Sequence, residues 1–127
     1  MVTLAPRGTF AGNALTERWQ VFGDDKYEVA DRGLLYMNGM QHNHVLACAK
    51  HFPGHGNTDT DSHLALPAIN QTIEELDTME LVPFQSLINQ GLGSMMVAHL
   101  FVPSFDTTFN QPSTLSRPIV TDLLKKK

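Results

Sequence analysis

The sequence predicts an α/β fold in which parallel strands are joined by crossover helices. Two short apolar runs, at residues 45–50 and 94–98, are typical of strands buried on both faces of a parallel sheet. A helical pattern at residues 72–90 lies between them, which gives the order of a right-handed βαβ unit. A complete (β/α)8 TIM barrel takes about 250 residues. Since this chain has 127 residues, the predicted architecture is a partial barrel.

The first helix is predicted at residues 25–42. Apolar residues recur there at roughly helical spacing, and Asp24 or Asp25 can serve as the N-cap. The methionines of this segment favour core packing over a ligand cluster. Residues 1–21 contain turn formers without a sustained period, so we predict a loop there.

The second helix begins with a capping box, in which Thr72 is followed three residues later by Glu75. Pro83 is expected to kink this helix or to leave a break in it. Gly91 or Gly93 is expected to end it.

A third helix is predicted at residues 117–126. Ser116 and Pro118 are typical of a helix start. The three lysines that end the sequence are interpreted as a solvated helix end.

Composition excludes several classes of function. The net charge is −4 and the nine lysines and arginines are scattered, which argues against a nucleic-acid partner. Cys48 is the only cysteine, so an internal disulfide is excluded and the compartment cannot be inferred. No apolar run reaches the roughly 18 residues of a membrane helix, and no signal-peptide pattern is present at Met1.

The segment after the first predicted strand carries most of the unusual chemistry. Parallel α/β folds place catalytic groups at the carboxyl ends of their strands, and Lys50 and His51 stand at such an end. Lys50 could form a structural ion pair or bind a ligand hydroxyl. Asp61 could orient His63 for proton transfer. An Asx-turn with an incidental histidine explains the same spacing.

A metal site is the competing interpretation of this segment. Five side chains could act as ligands, namely His51, His55, Asp59, Asp61 and His63. Pro53 and Gly54 break any helix that would bring the first two histidines to one face, so we predict neither a metal nor a cofactor. His99, at the end of the second strand, could face the same cleft or could be a core histidine.

Two motifs in this segment resemble a known family. Residues 50–56 read Lys-His-Phe-Pro-Gly-His-Gly, and residues 61–63 read Asp-Ser-His. Together they resemble the signature of glycoside hydrolase family 3, in its bacterial β-N-acetylglucosaminidase branch. The resemblance divides the chain into a poorly matching stretch, 1–21, and the middle portion of a family 3 barrel, 22–127. One departure is Gln20, which stands where the family usually has a substrate-binding arginine.

The resemblance implies retaining hydrolysis of a terminal β-linked N-acetylglucosamine. It implies that His63 is the general acid/base and that Asp61 is its dyad partner. Lys50 and His51 correspond to the pair that hydrogen-bonds sugar hydroxyls. The implied partners are an N-acetylglucosamine-containing saccharide and the rest of the barrel. The implied compartment is the bacterial cytoplasm or the periplasm and cell envelope.

A different class of function is also compatible with the sequence. In the family, the nucleophilic aspartate follows a later strand, beyond the segment that matches residues 116–118. A catalytically silent sugar-binding or structural half-barrel is therefore the alternative, and we expect the chain alone not to catalyse hydrolysis. A metal-dependent hydrolase is the third hypothesis.

Overall fold

The computed structural model describes the backbone of residues 2–3 and describes residues 23, 25–55 and 66–126 with their side chains. Strand β1 (Val2–Thr3) pairs in parallel with β2 (Cys48–Phe52). The loop predicted for residues 1–21 is therefore wrong at these two positions, where too few residues pair to give a sequence period. None of the helices in the described part is long and apolar enough to cross a membrane.

The described strands form one parallel sheet in the order β1, β2, β3, where β3 is Ser94–Val97. Helix α1 (Lys26–Gln41) precedes β2 in the chain, and helix α2, at residues 73–89, connects β2 to β3. The register aligns Cys48 with Ser94 and Phe52 with Val97. These elements confirm the predicted α/β fold, a partial (β/α)8 barrel with crossover helices.

Helix α1 begins at the predicted cap. The Asp25 carboxylate accepts hydrogen bonds from the backbone N–H groups of Tyr27, at 2.8 Å, and Glu28, at 3.0 Å. The buried face of the helix contains Val29, Ala30, Gly33 and Met37. Because the Met37 side chain lies fully inside the core, it serves packing, as predicted.

Strand β2 begins three residues later and ends two residues later than predicted. Val45 is 51% exposed and Leu46 is 66% exposed, so the prediction of a buried strand from residue 45 is wrong. The Val45 N–H still donates to the carbonyl of Met40, at 3.0 Å, and therefore belongs to the turn that ends α1. Pairing instead extends to Phe52, whose side chain is fully buried. An apolar run indicates burial of some residues but does not fix where pairing begins.

Helix α2 contains three successive segments, Ile73–Glu75, Leu76–Glu80 and Leu81–Asn89. Thr72 forms the predicted capping box with Glu75, whose carboxylate accepts from the Thr72 N–H at 2.8 Å. The middle segment is a wide π-helical turn. Pro83, which lacks an N–H group, lies three residues after this turn, and the helix continues through it to Asn89 without the predicted break.

Gly91 ends α2 in a left-handed conformation, with φ of +83°. Its N–H donates to Ile88 at 3.0 Å, and the Leu92 N–H donates to Leu87 at 3.0 Å. These bonds supply donors to carbonyl groups that would otherwise lack a partner at the end of a helix. The chain then enters β3, and the Ala98 N–H donates to the carbonyl of Phe52 at 2.8 Å. This hydrogen bond holds the carboxyl ends of β2 and β3 side by side.

The C-terminal helix occupies the predicted region but is irregular. Pro118–Leu123 is π-helical and Leu124–Lys126 is a 3-10 turn. The Ser116 carbonyl accepts from the Val120 N–H at 2.9 Å, so this serine begins the helix as predicted.

The core lies between the sheet and helices α1 and α2. Its largest fully buried apolar side chains are Phe52, Phe84, Met37, Ile69, Leu76, Leu81, Leu87, Leu100 and Ile119. Glu80 is buried among them, and it contacts the segment that follows β2.

Candidate active site at the carboxyl end of β2

Lys50 and His51 lie near the carboxyl end of β2, as predicted. Both side chains are half-buried. Phe52 fixes this end of the strand because its ring packs edge-on against Phe84, with ring centroids 5.4 Å apart. The register with β3 shifts between Lys50 and Phe52, and the Lys50–His51 and Phe52–Pro53 peptide bonds are cis.

Lys50 takes no part in the ion pairs found among residues 25–55 and 66–126. The structural ion pair considered from the sequence therefore has no counterpart in those ranges. An ammonium group supplies three donors that carbohydrate hydroxyls can accept. The position of Lys50 is thus compatible with ligand binding.

The imidazole of His51 is electrostatically unusual. Burial, followed by the charges of Lys50 and His55, lowers the pKa of His51 from 6.5 to about 4. The His51 and His55 rings also contact each other edge to face, with centroids 5.6 Å apart. At neutral pH, His51 is therefore a neutral imidazole with one N–H donor and one acceptor nitrogen.

We expect the stability of the chain to fall as the pH is lowered from 6.5 to 4. In that window the unfolded chain binds a proton at His51 that the folded chain does not bind, so protons favour unfolding. After allowance for solvent screening of a half-exposed group, the loss is about 1–2 kcal/mol. Urea unfolding at several pH values measures it. In His51→Asn this part of the pH dependence should disappear, and an unchanged slope would contradict the assignment.

Gly54 brings the chain after β2 onto helix α2. Its φ is +146°, and a Cβ atom placed there would lie 2.8 Å from Cγ and 2.9 Å from Cβ of Glu80. Only glycine allows this approach, since real Cβ atoms do not come so close to such neighbours.

Gly54→Ala is expected to destabilise the chain by about 2–4 kcal/mol, from backbone strain together with overpacking against Glu80. The matched control is Gly39→Ala, because a Cβ at this position in α1 would meet nothing within 4 Å. That control should gain about 0.5–1 kcal/mol from helix propensity. Urea midpoints of the two variants give the comparison, and equal stabilities would refute the close packing at Gly54.

His99 follows β3 at the same end of the sheet. Its ring is exposed, and its Nδ1 atom lies 2.8 Å from the hydroxyl oxygen of Thr114. The core alternative for His99 is therefore wrong. The loop around it is held by buried Ser113, whose hydroxyl donates to the Ala98 carbonyl at 2.6 Å and accepts from the Leu100 N–H at 3.2 Å.

The sequence-predicted site is only partly described. Lys50, His51 and His55 lie together at the end of β2, whereas Asp61 and His63 lie outside the described residues. In the parts that are described, no group of three or more potential ligands could hold a metal ion.

Sequence reasoning missed Glu80 as a contact of this segment. The available signal was an acid four residues after Leu76 and four before Phe84, which places it on the apolar face of the helix.

A family model described as "Glycosyl hydrolase family 3 N terminal domain" matches residues 11–127. A β-hexosaminidase of Thiobacillus denitrificans (strain ATCC 25259 / T1) is 35% identical over 108 residues, which are 85% of this chain and 29% of that protein. This chain thus spans less than a third of that curated relative.

Solved structures show the same likeness. NagZ from Neisseria gonorrhoeae, in complex with N-trifluoroacetyl-D-glucosamine, superposes with a TM-score of 0.84 at 28% identity, over 99% of this chain and 35% of that one. A glycoside hydrolase family 3 β-N-acetylglucosaminidase from Paenibacillus sp. str. FPU-7 gives a TM-score of 0.83 at 36% identity, over 95% of this chain and 22% of that one.

Proposed function

Since this chain belongs to glycosyl hydrolase family 3, as part of its N-terminal domain, we propose that it carries the acid/base side of a retaining β-N-acetylglucosaminidase site. In this proposal His63 protonates the departing oxygen and later activates water, and Asp61 orients it. A separate carboxylate, supplied by the rest of the barrel, forms the glycosyl-enzyme intermediate. Most retaining enzymes use a carboxylic acid as the acid/base, whereas the proposed group is an imidazole.

The observation that carries the proposal is the pairing of Lys50 with a neutral His51 at the end of β2. The Lys50 ammonium can donate hydrogen bonds, and the neutral imidazole of His51 can donate one and accept one. Such a pair can bind neighbouring hydroxyls of one sugar ring. The relatives support the choice of sugar, because one is solved with N-trifluoroacetyl-D-glucosamine and another is a β-N-acetylglucosaminidase.

The described surface also supports a need for the rest of the barrel. Val45, Leu46 and Met96 are large apolar side chains exposed beside or on the sheet. Such side chains favour contact with further polypeptide. We propose that neighbouring barrel elements cover them in the complete enzyme.

The test is a chimera in which residues 22–127 replace the matching part of the Thiobacillus denitrificans β-hexosaminidase. We expect it to hydrolyse an aryl β-N-acetylglucosaminide and to release first the β-anomer of N-acetylglucosamine, seen by NMR. Release of the α-anomer would exclude the retaining mechanism. The 127-residue chain alone should show only background turnover, and turnover dependent on His63 would place the nucleophile within it.

A silent sugar-binding piece is the second candidate, favoured by the 29% share of the relative that the chain spans. Calorimetry of the chain with N-acetylglucosamine separates the two. Binding heat, together with a chimera that does not turn over substrate, would favour this candidate.

Lys50→Met in the chimera should raise KM about 10–100-fold, because a hydrogen bond from a charged donor contributes about 1.5–3 kcal/mol. The matched control is Lys125→Met, at an exposed position of the C-terminal helix. Its KM should be unchanged. An unaltered KM in Lys50→Met would remove Lys50 from the sugar site.

A further inference from the structure

Among the described residues, Glu80 is the one acidic side chain that is fully buried, with 1% of its surface exposed. It lies at the end of the wide turn of α2, between buried Leu76 and buried Phe84. A carboxylate in apolar surroundings is unfavourable unless it is hydrogen-bonded. An apolar residue of similar size would stabilise such a site at least as well, so packing alone does not account for an acid at this position.

The contacts of Glu80 connect α2 to the segment after β2. One carboxylate oxygen, Oε1, accepts from Nε2 of Gln71 at 2.7 Å. The aliphatic part of the side chain faces Gly54, where a Cβ atom would lie 2.8 Å from the Glu80 Cγ atom. Gly54 is three residues after His51, so the acid lies directly against the chain that carries the candidate site.

Two buried oxygens at this place have no partner in the described part of the chain, Oε2 of Glu80 and Oε1 of Gln71. Both are acceptors, so neither can satisfy the other. A buried acceptor left without a donor is unfavourable by about 1–3 kcal/mol. Folding would therefore favour an apolar residue here over this acid, so the acid calls for a role other than packing.

We propose that Glu80 is a positioning residue for the segment from Lys50 to His55. The backbone at Gly54 packs against the Glu80 side chain. The hydrogen bond from Gln71 to the carboxylate holds that side chain in one orientation. The inference rests on the proposed function only where it assigns sugar binding to this segment. Glu80 acts through Lys50 and His51 and does not itself touch substrate.

The test uses the chain itself and no saccharide, so its result is independent of the proposed hydrolysis. Three variants are compared with the parent chain: Glu80→Gln, Glu80→Leu and the matched control Glu74→Gln, an exposed position of the same helix. NMR of the imidazole signals measures the pKa of His51, and circular dichroism checks that each variant keeps its helices.

The expected result is a rise in the pKa of His51 from about 4 toward 6.5 in both Glu80 variants, by about one unit. A loosened segment exposes the imidazole and moves it away from the positive charges that keep it neutral. The direction of the pKa change distinguishes a positioning role from a purely electrostatic one. Removal of the negative charge alone would lower the pKa of His51. Glu74→Gln should leave it unchanged.

Glu80→Leu keeps an apolar core and guards against loss of the fold. An unchanged or lowered pKa of His51 in folded Glu80 variants would overturn the proposal. So would loss of the fold in both variants while Glu74→Gln stays folded, because Glu80 would then support the whole fold and not this segment.

Discussion

Replacing His63 by alanine in the chimera is expected to reduce hydrolysis of a β-N-acetylglucosaminide with a poor leaving group by a factor of about 10²–10⁴. This is the usual contribution of a positioned acid/base. The proposed reaction needs a proton at the leaving oxygen in its first step and a base for water in its second. Dinitrophenolate leaves without a proton, so formation of the glycosyl-enzyme from a dinitrophenyl glycoside should be much less affected than its hydrolysis. Stopped-flow measurement of the two steps should therefore show a burst for this substrate.

The control for that experiment is His42→Ala. His42 is exposed and ends helix α1, before β2 begins, so its removal should leave both steps unchanged. If His63→Ala also leaves both steps unchanged, another group is the acid/base and the role proposed for His63 is wrong.

Phe84→Ala is expected to destabilise the chain by about 3–5 kcal/mol, because it empties a fully buried aromatic position of α2. That loss is a large fraction of the roughly 5–15 kcal/mol that stabilises a typical domain. The Phe52 ring would lose its edge-on partner at 5.4 Å, so the end of β2 should loosen first. Urea unfolding gives the global loss, and hydrogen exchange of the Phe52 amide reports the local one.

Phe109→Ala is the matched control, since the Phe109 side chain is 91% exposed. Its stability should stay within about 0.5 kcal/mol of the parent chain. Equal losses in the two variants would mean that the Phe52–Phe84 contact does not hold the strand end.

The sequence was most informative where one local interaction determines the structure. Asp25 and the capping box at Thr72 each bond backbone N–H groups within three residues, and these local geometries are legible from residue type alone. The same holds for the left-handed Gly91. The parallel pairing of β2 with β3 followed from the crossover helix between them.

The sequence was less informative where distant residues decide. The end of β2 at Phe52 packs against Phe84, which is 32 positions later in the chain (84 − 52). The approach of Gly54 to Glu80 brings together residues 26 positions apart (80 − 54), which the spacing of Glu80 within its own helix does not indicate. The lowered pKa of His51 arises mainly from burial, which a periodic pattern does not quantify. The dyad of Asp61 and His63 stays a prediction.

The wide turn at Leu76–Glu80 sets the rotational phase between the two ends of α2. Each residue of an α-helix advances by about 100°, and a π-helical turn holds one residue more than that pitch allows. The two ends are therefore offset by one residue's rotation, with the capping box turned to solvent and Glu80 turned inward beneath Gly54. Deleting one residue from this turn would rotate one end by about 100° relative to the other, so that either the cap or the acid would lose its present contacts. The number of residues in this turn, together with the acid at its end, keeps both contacts in place.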